Sequence, residues 1–190
     1  TGGHLVHEHF LGNAAAEHHC ACQQQAGPHP GKRVPATPEL ILPEVPFPSL
    51  RVIEALGEHG LRQLVAQHHA LLRQSAIGHL FAQDAAQFAQ LVERVADFVV
   101  EACGGPAQYT PAHGHTCMRT RHFPFTIDEA AREVWLTLLW QALADCAAPA
   151  EVREEYWAWM EPFSLRMINR RTTKAQPARW AYAEMAARHA

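Results

Sequence analysis

No run of apolar residues in this sequence approaches the ~18 that a membrane-spanning helix needs, which argues against a helical span. No charged-then-apolar segment near Thr1 reads as a signal peptide. Charge of one sign is scarce as well. With 16 Lys and Arg against 19 Asp and Glu, the formal net charge is −3 and there is no basic stripe, so nucleic acid is a poor partner. Cysteine is sparse. Its 5 copies are odd in number and follow no regular framework, as expected of reduced thiols in a cytoplasmic protein. Sustained strand alternation and internal repeats are both missing.

Apolar side chains are plentiful, at 48%, and suffice for a sizeable core. Histidine is the compositional oddity, with 14 copies unevenly spread. Three regions follow. Residues 1–45 hold a His/Cys-rich opening and then a proline-rich stretch without helical period, which reads as an extended arm. Residues 46–170 carry helical periodicity and form the core domain. Residues 171–190 are a C-terminal extension whose "ARWAYAEMAARHA" reads as a short helix.

Within the core, Ser49 stands where it can cap a helix bearing Leu50, Ile53 and Leu56, with Gly57 and Gly60 near its end. Leu61, Leu64, Val65, His68, His69 and Leu72 recur at three- and four-residue spacing, so two histidines sit on or beside a buried face. Phe88, Leu91, Val92, Val95, Phe98 and Val99 repeat the pattern up to Gly104-Gly105-Pro106. An irregular connection is expected over 107–116, and a long connection of this kind is often functional. Asp128 opens a helix through Val134, Trp135, Leu138 and Leu139, and a last core helix carries Val152, Tyr156, Trp159 and Phe163. The expected fold is all-α. Cys103 and Cys146 fall on helix faces as small apolar groups, whereas Cys117 lies in the connecting loop and is expected to be exposed.

Two histidine groups stand out. His4, His7, His9, His18, His19, Cys20 and Cys22 place seven potential ligands within 19 residues, and imidazole with thiolate suits zinc or copper. Their spacing matches no standard zinc module, so a second metal site and a tail that collects metal adventitiously both remain open. The second group centres on His122. Alone, it reads as a core or surface histidine or as a ligand. Arg119 and Arg121 beside it suit paired carboxylates, such as the two propionates of haem, and neutral imidazole is the usual proximal ligand of haem iron.

The pieces "VPFPSLRVIEALGEHGLRQLV", "ERVADFVVEACGGPAQYT", "HGHTCMRTRHFPFTI", "REVWLTLLWQAL" and "MEPFSLRMINR", in this order, resemble the truncated haemoglobins, most closely their group II. The Gly-Gly-Pro break, the arginine-flanked histidine before Pro-Phe, and a tryptophan 13 residues after that histidine carry the likeness. The resemblance implies a two-over-two helical sandwich enclosing haem b. It maps the proximal ligand onto His122 and the distal tryptophan onto Trp135. Phe81 would pack on the haem, Leu91 and Val95 would face the iron, and Arg94, Tyr109, Arg119 and Arg121 would meet the propionates.

One departure matters. The family usually writes Phe-Tyr where this chain has His68-His69. His69, at the tyrosine position, would either donate a hydrogen bond to the ligand or bind the iron as a sixth ligand, and His68 would pack on the haem edge or meet a propionate. Three functions follow. The first is a haem protein for O2, NO or CO, with NO dioxygenase or peroxidase-like turnover and a reductase as electron donor. The second is a six-coordinate bis-histidyl protein for electron transfer or sensing. The third is a haem-free helical module acting through partner contacts, which His122 with its arginines disfavours. A monomer and a homodimer are both compatible with the sequence.

Overall fold

The computed structural model describes residues 39–189, and among them the chain is helical and turn throughout, with no strand. The expected arm over 1–45, with its candidate metal ligands from His4 to Cys22, lies almost wholly outside the described residues. Four long helices dominate: α1 (Leu50–Arg73), α2 (Ala85–Ala102), α5 (Glu129–Asp145) and α6 (Ala150–Leu165). Between them lie a 3-10 turn at Gly78–Leu80 and two short helices, α3 (Tyr109–His113) and α4 (Met118–Arg121). The C-terminal α7 spans Tyr182–Arg188. α1 packs on α2, α5 and α6, and α6 also packs on α5, which makes the two-over-two sandwich.

The two helices expected on either side of Gly57 run on as α1 with a kink. Gly57 takes φ 68 and ψ 170, a backbone that glycine adopts without a Cβ clash. Ser49 occupies the N-cap position of α1, but its side chain makes no cap bond there; its amide instead donates to Glu155 Oε1 at 2.6 Å, tying α1 to α6. Asp84 and Asp128 do cap. Their Oδ1 atoms accept from Gln87 N at 2.9 Å and Ala131 N at 2.8 Å.

The core follows the helical periods. Leu61, Leu64 and Val65 of α1 meet Phe98 and Val99 of α2, Leu136 and Leu139 of α5, and Val152, Tyr156 and Trp159 of α6. Each such side chain contributes about 1.5–3 kcal/mol on burial. Trp159, fully buried, has Phe98 at 6.2 Å, Tyr156 at 5.6 Å and Phe47 at 6.2 Å between ring centroids.

α2 ends at the Gly-Gly-Pro break. Gly104 has φ 89, and Gly105 N donates to Val100 O at 2.9 Å. The connection after it is not wholly irregular: it folds into α3, because the buried Glu101 carboxylate accepts from Thr110 N at 2.8 Å and from the Thr110 hydroxyl. A negative charge at a helix N-terminus is favourable. The C-terminal segment is docked by a buried ion pair. Arg132 Nη2 lies 2.7 Å from Glu161 Oε1, with side chains 1% and 4% exposed, and Arg132 Nη1 donates to Ala178 O at 2.7 Å. Trp157 Nε1 donates to Trp180 O at 2.7 Å.

Candidate functional site

His122 follows α4 directly, at its C-cap. Its Nδ1 is 2.6 Å from the Met118 carbonyl oxygen, one turn back. A carbonyl only accepts, so Nδ1 carries the proton and Nε2 presents a bare lone pair. No group among the described residues meets Nε2. Burial pushes the His122 pKa down, so the ring is neutral near pH 7. This is the tautomer and charge state of a metal-ligating imidazole.

The loop after His122 is held from α6. Asn169 Nδ2 donates to His122 O at 3.1 Å and to Phe125 O at 2.7 Å, and its Oδ1 accepts from Ile127 N at 2.9 Å. Arg119 is tied to the chain just beyond α6 through one of its guanidinium nitrogens. Its Nη1 donates to Arg166 O at 2.7 Å and Ile168 O at 3.1 Å, so it caps the C-terminal end of α6. Cys117 was expected to be exposed but is buried; its thiol lies 3.1 Å from the Thr120 hydroxyl inside the turn that starts α4.

Arg121, Tyr109 and Arg94 do come together. The Arg121 guanidinium sits 5.5 Å from the Tyr109 ring centroid and donates to His115 O at 3.0 Å. Burial pushes the Tyr109 pKa up, against the positive charges of Arg121 and Arg94 nearby. Two cations and a phenol at one place suit a carboxylate.

His68 and His69 lie on the inner face of α1, both buried. His69 Nδ1 is 2.8 Å from Val65 O, one turn back, and His68 Nε2 is 3.1 Å from Trp135 O. Both partners are carbonyls, so His69 is protonated on Nδ1 and His68 on Nε2. The expected donation from His69 to a ligand is therefore not open to its neutral ring: Nε2 has no proton to give. Desolvation, with the neighbouring His69, lowers the His68 pKa from 6.5 to about 3. Burial also lowers that of His69.

Trp135 stands edge-on to His68 with centroids 4.7 Å apart, and Phe81 edge-on to His69 at 5.9 Å. These side chains adjoin a cavity of about 30 Å³ walled by His68, His69, Trp135, Val95, Tyr156 and Met160, among others. That is room for one water or one diatomic molecule. Leu91 is half-buried on α2 and is not part of this wall, while Arg94 is exposed. A larger surface cleft of about 550 Å³, beside Trp157, Trp180 and Tyr182, shares no lining residue with this cavity.

A second apolar cluster joins the two histidine regions. Leu72, Ile77 and Ala131 are buried in it, and Phe81, Ile127, Trp135 and Leu138 are only partly covered. It runs from Phe81, against His69, to Ile127, tied through Asn169 to His122. These residues fit a haem: one neutral imidazole with a free Nε2, large apolar side chains left partly open, and a cationic edge for carboxylates. The buried Glu101, Asn169, and the Arg132–Glu161 pair escaped sequence reasoning, because a polar residue in a helical period looks the same whether its partner is solvent or another helix.

The comparisons with known proteins come to the same place. The sequence matches the bacterial-like globin family over residues 52–169. It is 31% identical over 122 residues to the group 2 truncated hemoglobin YjbI of Bacillus subtilis (strain 168), covering 61% of this chain and 86% of that protein. Among solved structures, phosphate-bound Hell's gate globin IV superposes with a TM-score of 0.77 at 49% identity, covering 84% of this chain and 100% of that one. The group II truncated hemoglobin from Bacillus anthracis superposes with a TM-score of 0.60 at 27% identity, covering 64% and 93%.

Proposed function

This chain belongs to the bacterial-like globin family, among the group II truncated haemoglobins, and on that premise we propose that it binds diatomic gases at the iron of haem b held by His122. The observation that supports this most directly is the His122–Met118 hydrogen bond at 2.6 Å, which leaves Nε2 as a lone pair on a neutral ring. Haem supplies a redox-active iron with a coordination position for O2, NO or CO. Everything else falls to the protein. Asn169 holds the loop after His122. Arg121, Tyr109 and Arg94 would hold the propionates, while Phe81, Leu91 and Val95 would exclude water from the ring. Trp135 Nε1–H, which has no partner among the described residues, would donate to the ligand.

NO dioxygenation or peroxide reduction is the turnover this site would support; the first would need an external reductase to restore ferrous iron, and the second an electron donor supplying two electrons per peroxide to restore ferric iron. No described helix is long and apolar enough to cross a membrane.

One observation favours the six-coordinate alternative. His69 has the same tautomer as His122, with Nδ1–H on the carbonyl one turn back and Nε2 bare. The deciding experiment is the absorption spectrum of the haem-reconstituted protein beside His122→Ala and His69→Ala. Loss of iron ligation in His122→Ala is expected; unchanged axial coordination there overturns the assignment. A low-spin ferric spectrum abolished by His69→Ala alone would establish the alternative.

A further inference from the structure

Both hydrogens on the distal imidazoles are already committed. The His69 Nδ1–H goes to Val65 O at 2.8 Å, and the His68 Nε2–H to Trp135 O at 3.1 Å. What each ring can turn toward the cavity is therefore an acceptor. His69 is 7% exposed and its Nε2 meets no group among the described residues. Trp135, on the same wall, has the opposite polarity, since an indole N–H only donates. Tyr156 adds its ring, and burial holds its hydroxyl well above the usual phenol range, so it stays neutral. The cavity is thus lined by an indole from α5 whose nitrogen can only donate and by an imidazole from α1 whose remaining nitrogen can only accept. A ligand that only accepts, such as O2 or azide, can use Trp135 alone. A ligand that also carries a hydrogen can use both.

Resting on the haem reading above, we infer that the distal cavity selects small ligands that carry their own hydrogen, of the class of hydrosulfide, hydrogen peroxide or water, with His69 Nε2 as the acceptor that recognises them. A donor at this position would favour acceptor-only ligands. His69 does not, because rotating its ring to present Nδ1–H would break the bond to Val65 O that fixes the ring. The cavity of about 30 Å³ keeps the class to ligands of a few heavy atoms.

The test uses the haem-reconstituted full chain, with sulfide and azide as ferric probes and O2 as the ferrous one. His69→Leu is expected to weaken sulfide binding about five- to tenfold, the loss of one hydrogen bond, and to leave azide affinity and oxygen release within about twofold. His69→Gln, which restores an acceptor oxygen, is expected to recover most of the sulfide affinity. Trp135→Phe should weaken azide and sulfide alike, because both accept from its indole N–H. Azide or oxygen affected more than sulfide by His69→Leu overturns the inference, as does a low-spin iron ligated by His69. If His69→Leu does not fold, the nitrogen-15 imidazole signals of the ferrous CO complex of the unaltered chain decide the point. An Nδ1–H tautomer for His69 supports the acceptor role, and an Nε2–H tautomer ends it. Failure to take up haem sinks the haem reading and this inference together, whereas haem uptake with reversed ligand preference sinks this inference alone.

Discussion

The Met118 carbonyl receives the Nδ1 proton of His122 across 2.6 Å, and the Asn169 amide grips the carbonyl of that same histidine at 3.1 Å. The ring is thereby set in both tautomer and position before any ligand arrives. His122→Gly, with imidazole added in solution, is expected to recover haem ligation only as a free ligand that exchanges. Its absorption spectrum should depend on imidazole concentration, and a spectrum indifferent to imidazole would show that His122 does not hold the iron.

Trp135 lines the cavity beside His68 and His69 and is the donor proposed for the bound ligand. Trp135→Phe should speed oxygen release about tenfold, the rate equivalent of one hydrogen bond. Stopped-flow oxygen dissociation checks this. An unchanged rate would mean that the indole N–H does not reach the ligand.

Acid should weaken the haem-free protein through His68. Its pKa falls from 6.5 unfolded to about 3 folded, because desolvation penalises the charged ring. Above pH 6.5 the ring is neutral in both states, and pH has no effect through it. Below that, the unfolded chain binds a proton that the folded chain refuses, so stability drops as pH falls from 6.5 toward about 3. The slope approaches about 1.4 kcal/mol per pH unit for this group. Urea unfolding at pH 7 and pH 5 should show the loss, and His68→Leu should flatten it.

The Arg132–Glu161 pair is buried, and without Arg132 the Glu161 carboxylate keeps only the half-exposed Arg179 and the Trp180 amide. Arg132→Ala is expected to cost about 2–3 kcal/mol, below the full cost of a stranded buried charge, and to lower the melting temperature. The same change should expose the segment around Ala178 to proteolysis, since Arg132 Nη1 holds its carbonyl at 2.7 Å. A loss below about 1 kcal/mol would place the pair among ordinary surface bridges.

Gly105 has no room for a side chain. A Cβ there would meet Val100 Cγ1 at 2.6 Å and Ile53 Cδ1 at 2.7 Å. Gly105→Ala should therefore cost about 1–3 kcal/mol by overpacking, measured by thermal unfolding. It should also disturb Tyr109, which begins α3 four residues on.

Much of the architecture was legible in residue order. Leu61, Leu64, Val65 and Leu72 fall on one face because helical spacing requires it, and they are buried there. Asp84 and Asp128 announce helix starts by residue type, and both cap. His122 stands out through its arginine neighbours and the Pro-Phe stop. Ser49 shows the limit of such signals. Its position is right, but Glu155 from α6 takes its amide, and a partner 106 residues away leaves no local trace.

Linear order alone determined which side chains share a helix face, where helices stop at glycine and proline, and which histidine stands before Pro-Phe. These are local consequences of backbone geometry and repeat every three to four residues. Only the tertiary structure decided the direction of the protons. Whether His69 donates or accepts depends on its burial and on the Val65 carbonyl one turn back, which takes its Nδ1 proton. Arg119, written beside His122, reaches the open carbonyls at the end of α6 because the fold brought that helix end to it. A hydrogen bond joins groups by distance in space, and distance along the chain does not predict it.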